Sequence, residues 1–331
     1  MNGLRSMYLN LFLYRKAGTM KSSNIGGQAV LEGIMMKNGK DYAVAVRKPD
    51  NEIEVKKDEY RSFVRWETLT KIPFIRGIFN FIDSMILGMK TLTYSASFYE
   101  EEESDRILTE EEAKKRERKE NLLMGITVAF SIVLAMGIFM VWPYAISGLF
   151  DKVISSRFAK SVIEGVVRIA IFIGYILLIS RMKDIQRTFM YHGAEHKCIN
   201  CVEHGLPLTV DNVLASSRLH KRCGTSFLFL VMLVSIFLHF IFVLVPFYWV
   251  RLFGRLLMVP VVAGISFEII QWAGRSDSKL ADFFSKPGLA MQKLTTKEPT
   301  ADMAEVAIRA VEAVFDWKAY LKEEFGVEAE Q

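Results

Sequence analysis

Four long apolar runs, at about 121–142, 162–180, 225–248 and 252–273, constrain this chain more than any other feature. Each approaches the roughly 20 residues that a helix needs to cross a bilayer. A backbone in lipid must satisfy its own hydrogen bonds, so runs of this length are expected to be helices. The sequence therefore predicts a mainly α, polytopic helical membrane protein with about four transmembrane helices. Apolar residues fill 51% of the 331 positions and charged ones 24%, which leaves material for a small α+β cytosolic part.

Charge sets the expected orientation. Lys114-Lys115-Arg116 and Arg118-Lys119 precede the first run, and Arg181, Lys183, Arg187, Lys197, Arg218, Lys221 and Arg222 fall between the second and third. Arg275, Lys279 and Lys286 follow the fourth. Basic loops stay inside, which puts both termini and the stretch 181–224 in the cytosol. Lys152, Arg157 and Lys160 in the first outer loop run against this. The net charge of +5 lies beside the apolar runs and is read as membrane orientation, with membrane lipid as a partner and nucleic acid excluded.

The remaining regions divide by composition. Residues 1–19 form an N-terminal extension in which Arg5 and the apolar run Met7–Tyr14 faintly resemble a signal peptide without a small-residue cleavage site, and Met20 is an alternative start. Residues 20–70 are soluble: 42–47 and 52–56 flank Lys48-Pro49-Asp50-Asn51 and predict a hairpin. The stretch 25–36 predicts a turn plus a partly buried strand. Residues 71–120 hold an interfacial amphipathic helix over 72–95 and a charged linker. Its apolar face includes Ile75, Ile82, Met85, Ile86, Met89 and Leu92, interrupted by Arg76, Asn80, Asp83 and Lys90. The four-span domain covers 121–275. The cytosolic tail, 276–331, carries an amphipathic helix, with Pro299-Thr300 as stop and cap and Met303, Val306, Ala307, Ala310, Val311, Val314 and Phe315 as its stripe.

Chemistry concentrates in the loop 181–224, which holds four of the five histidines and all three cysteines. An odd cysteine count is a poor disulfide framework, and clustering with His points to metal or reduced thiols. His192-Gly-Ala-Glu195-His196 has the spacing H-x-x-E-H. On a helix, positions i and i+4 share a face, so both imidazoles can bind one divalent ion, zinc first, with Glu195 as the base. Glu203 or His220 is expected to supply the third ligand. A competing reading closes a structural zinc site from Cys198-x-x-Cys201 and His220-x-x-Cys223, with no open position for substrate. A third reading leaves these groups as hydrogen-bonded residues at the membrane surface. Glu268, late in the fourth run, can face the metal loop or pair with Arg275; Glu32 and Arg222 are further candidates for supporting roles. Thr225 and Ser226 are expected to cap the third apolar helix. Glu164 and Arg168, spaced i, i+4, predict a structural pair, and His239 a packed core histidine.

Gly-Gly-Gln-Ala-Val-Leu-Glu-Gly-Ile-Met-Met at 26–36, His-Gly-Ala-Glu-His-Lys at 192–197 and Arg-Cys-Gly-Thr-Ser-Phe-Leu at 222–228 resemble the YqhQ family of bacterial membrane proteins, domain of unknown function 1385. The resemblance covers roughly residues 24–320, and Lys221 stands where a proline is common. It implies a multi-pass protein of the bacterial cell membrane and carries the label of a metal-dependent enzyme. That label rests on the same His192, Glu195 and His196. Together these readings predict a membrane-embedded metal-dependent hydrolase acting on a lipid-linked or membrane-peptide substrate at the cytosolic face. The alternative is a non-enzymatic scaffold or carrier with a structural zinc site.

Overall fold

The computed structural model describes residues 20–62, 72–99, 110–245, 247–276 and 278–327. The expected extension at 1–19 and the linker residues 100–109 lie outside these. The strands are β1 (Gly26–Val30), β2 (Gly33–Asn38), β3 (Asp41–Arg47) and β4 (Ile53–Glu59). The helices are α1 (Ile75–Ala96), α2 (Glu110–Met136), α3 (Trp142–Gly148), α4 (Arg157–Ile179), α5 (Lys183–Glu203), α6 (Val210–Ala215), α7 (Gly224–His239), α8 (Tyr248–Leu257), α9 (Val259–Arg275), α10 (Lys279–Thr295), α11 (Ala301–Val314) and α12 (Trp317–Phe325). The chain is thus mainly helical with one small sheet, and it divides into two discontinuous units.

The first unit comprises Met1–Tyr99, Leu178–Val231 and Ala263–Gln331. Its sheet is an antiparallel meander in the order β1-β2-β3-β4. The expected hairpin at 42–56 is β3–β4, in register Arg47↔Ile53. The stretch 25–36 yields more than a turn and one strand: β1 and β2 pair as a second hairpin, Val30↔Gly33, across Leu31-Glu32. Side chains alternate between two cores, as a pleated strand requires. Ile34, Met36, Ala43 and Ala45 face one, with residues of α5 and α11. Met35, Tyr42, Val44 and Val46 face the other, with Leu87 of α1. The sheet is therefore covered on both sides, which explains why β2 and β3 are apolar almost without interruption.

α11 buries Met303, Val306, Ala307, Ala310, Val311 and Val314, the expected stripe. Thr300 occupies its N-cap position in extended backbone, but its side chain caps nothing. α1 turns Leu87, Gly88, Thr91 and Ser95 inward, and Asp83 is buried where it accepts from Tyr60 at 2.8 Å and Ser62 at 2.6 Å. The stripe Met85, Ile86, Met89 and Leu92 stays exposed.

The second unit comprises Glu100–Leu177 and Met232–Val262. Among the described residues, three helices are long and apolar enough to cross a membrane: Arg118–Lys152, Arg157–Ile179 and Gly224–Phe242. The fourth expected run is not one helix. α8 and α9 meet at a 42° bend, and the count reaches four only if that pair is one span. Pro260, in the first turn of α9, has no N–H to continue the preceding helix, and it accounts for the break. The third run also stops early, with α7 ending at His239 and a 3-10 turn over Phe240–Leu244.

Candidate metal centre

The site is built on α5, whose residues from Tyr191 to Glu203 are nearly all buried, polar ones included. A helix can be enclosed on every side only if its polar groups are matched, and here they dictate the path of the chain that follows. Lys197 donates to the carbonyls of Leu214 at 2.8 Å and Ser216 at 2.7 Å. Asn200 donates to those of Ser217 at 2.6 Å and Leu219 at 3.0 Å. Gln292 of α10 closes the other side, accepting from the His220 amide at 2.8 Å and donating to its carbonyl at 2.7 Å. These bonds carry the loop back over α5 and deliver Cys223 to the start of α7.

Two glycines allow the remaining approaches. A side chain at Gly193 would meet the carbonyl oxygen of Lys297, whose amide donates to Phe189 at 2.9 Å. The segment after α10 therefore lies directly on α5 and brings the Thr295 carbonyl to His192. A side chain at Gly27 would meet the Met35 carbonyl oxygen at 2.6 Å and the Glu195 carboxyl carbon at 3.1 Å. β1 thereby places the Gly27 amide as donor to Glu195.

His192 and His196 face each other one turn apart, ring centroids 4.4 Å. His192 Nδ1 lies 2.9 Å from the Thr295 carbonyl and His196 Nδ1 2.7 Å from that of Arg218. A carbonyl only accepts, so each Nδ1 is the protonated nitrogen and each Nε2 keeps its lone pair. Cys223 Sγ sits 3.2 Å from His192 Nε2. One ligand-capable atom from each of His192, His196 and Cys223 lies within 4.8 Å of the others. Ligands of a tetrahedral zinc ion are about 3.3–3.6 Å apart at ordinary bond lengths; the His192–Cys223 pair is already near that spacing, and the others lie within about an ångström of it. Imidazoles whose far nitrogens are held by carbonyls are the usual outer support of metal-binding histidines. Two imidazoles and a thiol suit zinc and leave a fourth position open.

Glu195 is 5% exposed, and its Oε2 has no hydrogen-bond partner. Burial pushes its carboxyl up to about 7, against the pull of His192 and the Gly27 amide. It is thus poised to change protonation state near neutral pH beside the His pair.

The expected third ligands lie elsewhere. Glu203, fully buried, accepts from the Ser23 amide and hydroxyl at 2.7 Å each, from His220 Nε2 at 3.2 Å and from Arg222. Burial pushes the Glu203 carboxyl up, but His220 and Arg222 outweigh it and bring it down to about 2. Burial, with Arg222 nearby, holds His220 down at about 4, so it stays a neutral donor to that carboxylate. His220 rests against His196 at 5.8 Å between rings. Glu203 and His220 therefore brace the loop, and Cys223 is the ligand-capable residue that lies with the two imidazoles.

The closed Cys198, Cys201, His220, Cys223 set does not assemble among the described residues. Cys198 and Cys201 point into the apolar core with Ile199 and Val202. Burial pushes both thiols up, Cys201 to about 12, and Cys201 donates to the Pro207 carbonyl at 3.4 Å. Glu268 pairs with Arg76, not with Arg275 or the metal loop, and accepts from the Phe74 amide at 3.1 Å. Glu32 pairs with Arg187 and accepts from the Tyr191 hydroxyl at 3.3 Å, one residue short of the centre. Arg222 pairs with Glu203. Thr225 and Ser226 are not caps: the Thr225 amide donates to Cys223 Sγ at 3.3 Å, and the Ser226 hydroxyl accepts from Gln292 at 2.6 Å.

Fold and site define a mainly helical protein with apolar helices of membrane-spanning length and a largely buried His-His-Cys cluster in the unit that holds a four-stranded sheet. Residues 72–317 match the DUF1385 family, described as a protein of unknown function, and the chain belongs to that family. It is 37% identical over 287 residues to the "Uncharacterized protein YqhQ" of Bacillus subtilis (strain 168), covering 86% of this chain and 90% of the relative. No solved structure matches it.

Proposed function

We propose that the chain is a membrane-embedded, metal-dependent hydrolase whose centre uses His192, His196 and Cys223 as ligands and Glu195 as the proton acceptor. The observation that carries the reading is the fixed tautomer of both imidazoles. Each spends Nδ1 on a carbonyl and turns a lone pair on Nε2 toward the same space as the Cys223 sulfur. A bound zinc ion would supply a Lewis acid and a water whose pKa falls towards about 7. Glu195, with one oxygen unspent, would take the water's proton and pass it to the leaving group.

The apolar helices support a bacterial cell-membrane location. Phe130 and Val133 of α2 are 66% and 68% exposed, which suits lipid and not water. With the bent pair as one span, four crossings would put both termini and the site loop on one side, and the basic residues there support the cytosolic one. A site at that face would act on lipid-linked molecules or membrane peptides.

The test is metal content of the purified full chain. Wild type should carry about one equivalent of zinc, and His192→Ala and Cys223→Ser should each lose it. Cobalt exchange should give a thiolate-to-metal absorption band that Cys223→Ser abolishes. Glu195→Gln should keep metal and band. Metal that survives both His192→Ala and Cys223→Ser would refute the ligand set.

The Cys223 to His192 distance of 3.2 Å favours one other reading, a thiol nucleophile with an imidazole base. Metal-free protein alkylated rapidly at Cys223 by iodoacetamide, with no zinc in any preparation, would favour it.

A further inference from the structure

The second unit contains a buried charge cluster that the metal centre does not use. Arg168 of α4 donates to Glu164 Oε1 at 2.8 Å and to the Ser235 hydroxyl at 2.9 Å. Arg255 of α8 donates to the other oxygen of the same carboxylate. Arg168 also faces His239 Nδ1 at 3.1 Å; since arginine only donates, that nitrogen accepts and adds no negative charge. Glu164, Arg168, His239 and Arg255 are each no more than 5% exposed. One carboxylate thus serves two permanently charged guanidinium groups, and a positive charge is left over.

The donors are not spent either. The Nε–H groups of Arg168 and Arg255 are buried without a partner, and so is that of Arg251, one turn before Arg255. The guanidinium groups of Arg251 and Arg255 lie 5.8 Å and 4.6 Å from the Tyr144 ring. Glu164, Arg168, His239 and Arg255 line a common crevice with Ser161. Excess buried positive charge and unspent donors on Arg168 and Arg255, with Arg251 one turn away outside the crevice lining, call for an anion with several acceptor oxygens.

The cluster runs from the second turn of α4 to that helix's midpoint and includes the last residue of α7 and two positions one turn apart on α8. If these helices cross a bilayer, His239 and Arg251 lie within about 5 Å of a helix end, and long guanidinium side chains can reach headgroup phosphates from there.

We propose that Arg168, Arg255 and Arg251, with Ser161, form a phosphate-binding site, taking either the phosphate of an anionic phospholipid headgroup or free phosphate. Glu164 holds the two buried guanidinium groups in place. The site is independent of the metal centre, and its test does not involve metal or hydrolysis.

Full-length protein is purified in detergent, and native mass spectrometry is read after addition of phosphatidylglycerol or phosphatidylcholine. Melting is followed in parallel with inorganic phosphate against chloride. Wild type should retain phosphatidylglycerol at least several-fold over phosphatidylcholine, and Arg255→Gln should lose the preference; this identifies a headgroup. Stabilisation by inorganic phosphate that Arg255→Gln abolishes, with no lipid preference, identifies free phosphate. Arg251→Gln breaks no hydrogen bond in the cluster, so it decides the matter if Arg255→Gln fails to fold. Wild type that prefers neither phosphate source, or an Arg251→Gln protein that binds both as wild type does while Arg255→Gln is folded and equally unaffected, overturns the site.

Discussion

At the scale of single residues, the helix-borne half of the centre was legible and the loop-borne half was not. His192 and His196 are four apart, so helical periodicity alone puts their rings 4.4 Å apart. The third donor lies more than twenty residues on, beyond a loop whose route is set by Lys197, Asn200 and Gln292. Spacing could not rank Cys223 against Glu203 and His220. The signal available was chemical: Lys197 and Asn200 are polar residues on a helix flanked by apolar ones, and such residues must find partners. Glu203 shows the energetic consequence. Its carboxyl is held down at about 2, below the ordinary carboxylate range, so the folded state favours the charged form. A depressed carboxylate stabilises above the unfolded pKa and loses that contribution as pH falls through the folded one. Glu203→Gln should therefore cost about 3 kcal/mol at neutral pH, since it strips Arg222 of its counter-charge. The gap from wild type should narrow as pH falls from about 4.5 towards 2. Denaturant melts of both proteins at pH 6 and pH 3.5 check this; a gap that stays constant would mean that the carboxylate charge is not what matters.

At the scale of elements, local patterns predicted the hairpin at 42–56 and the stripe of α11, because both rest on periodicity and turn chemistry within a few residues. The β1–β2 hairpin was half seen. Its turn residue Glu32 has φ 48°, a left-handed conformation that few side chains adopt, and that concealed the reversal. The bend at Met258 was signalled by Pro260, but hydropathy averaged over the run hid it. Close contacts between elements leave almost no local trace except glycine. Gly193→Ala should push the segment at Lys297 off α5 and destabilise the fold by about 1–3 kcal/mol. Because that segment continues directly from Thr295, whose carbonyl meets His192, the same substitution should also weaken zinc binding if the proposed centre holds the ion. Gly26→Ala, with nothing within 4 Å of the added carbon, is the control and should change neither property. Calorimetry with a competitive zinc chelator titration separates the outcomes. Wild-type zinc affinity in a folded Gly193→Ala protein would show that the Thr295 contact does not orient the imidazole.

At the scale of the whole molecule, hydropathy located the apolar runs, since length and hydropathy are sums that need no tertiary information, but the count of four holds only if α8 and α9 make one bent span. Hydropathy could not show which part of the chain would enclose the chemistry. The sheet and α11 come from opposite sides of the apolar series in sequence and close over α5 within one unit. That arrangement makes a topological demand: residues before the first apolar helix and after the last must share a compartment. If the chain spans a membrane, the number of crossings between them is even, so α8 and α9 must traverse as one bent span. Cysteines introduced at exposed positions test this. In sealed right-side-out vesicles, Lys57→Cys in β4 and Glu323→Cys in α12 should react with an impermeant maleimide only after the membrane is opened. Ser155→Cys, between α3 and α4, should react at once. The native thiols are buried and give a low background. Should Lys57→Cys and Glu323→Cys label from opposite sides, the crossings are odd, and a sheet and helix packed in one unit could not both be where the fold puts them.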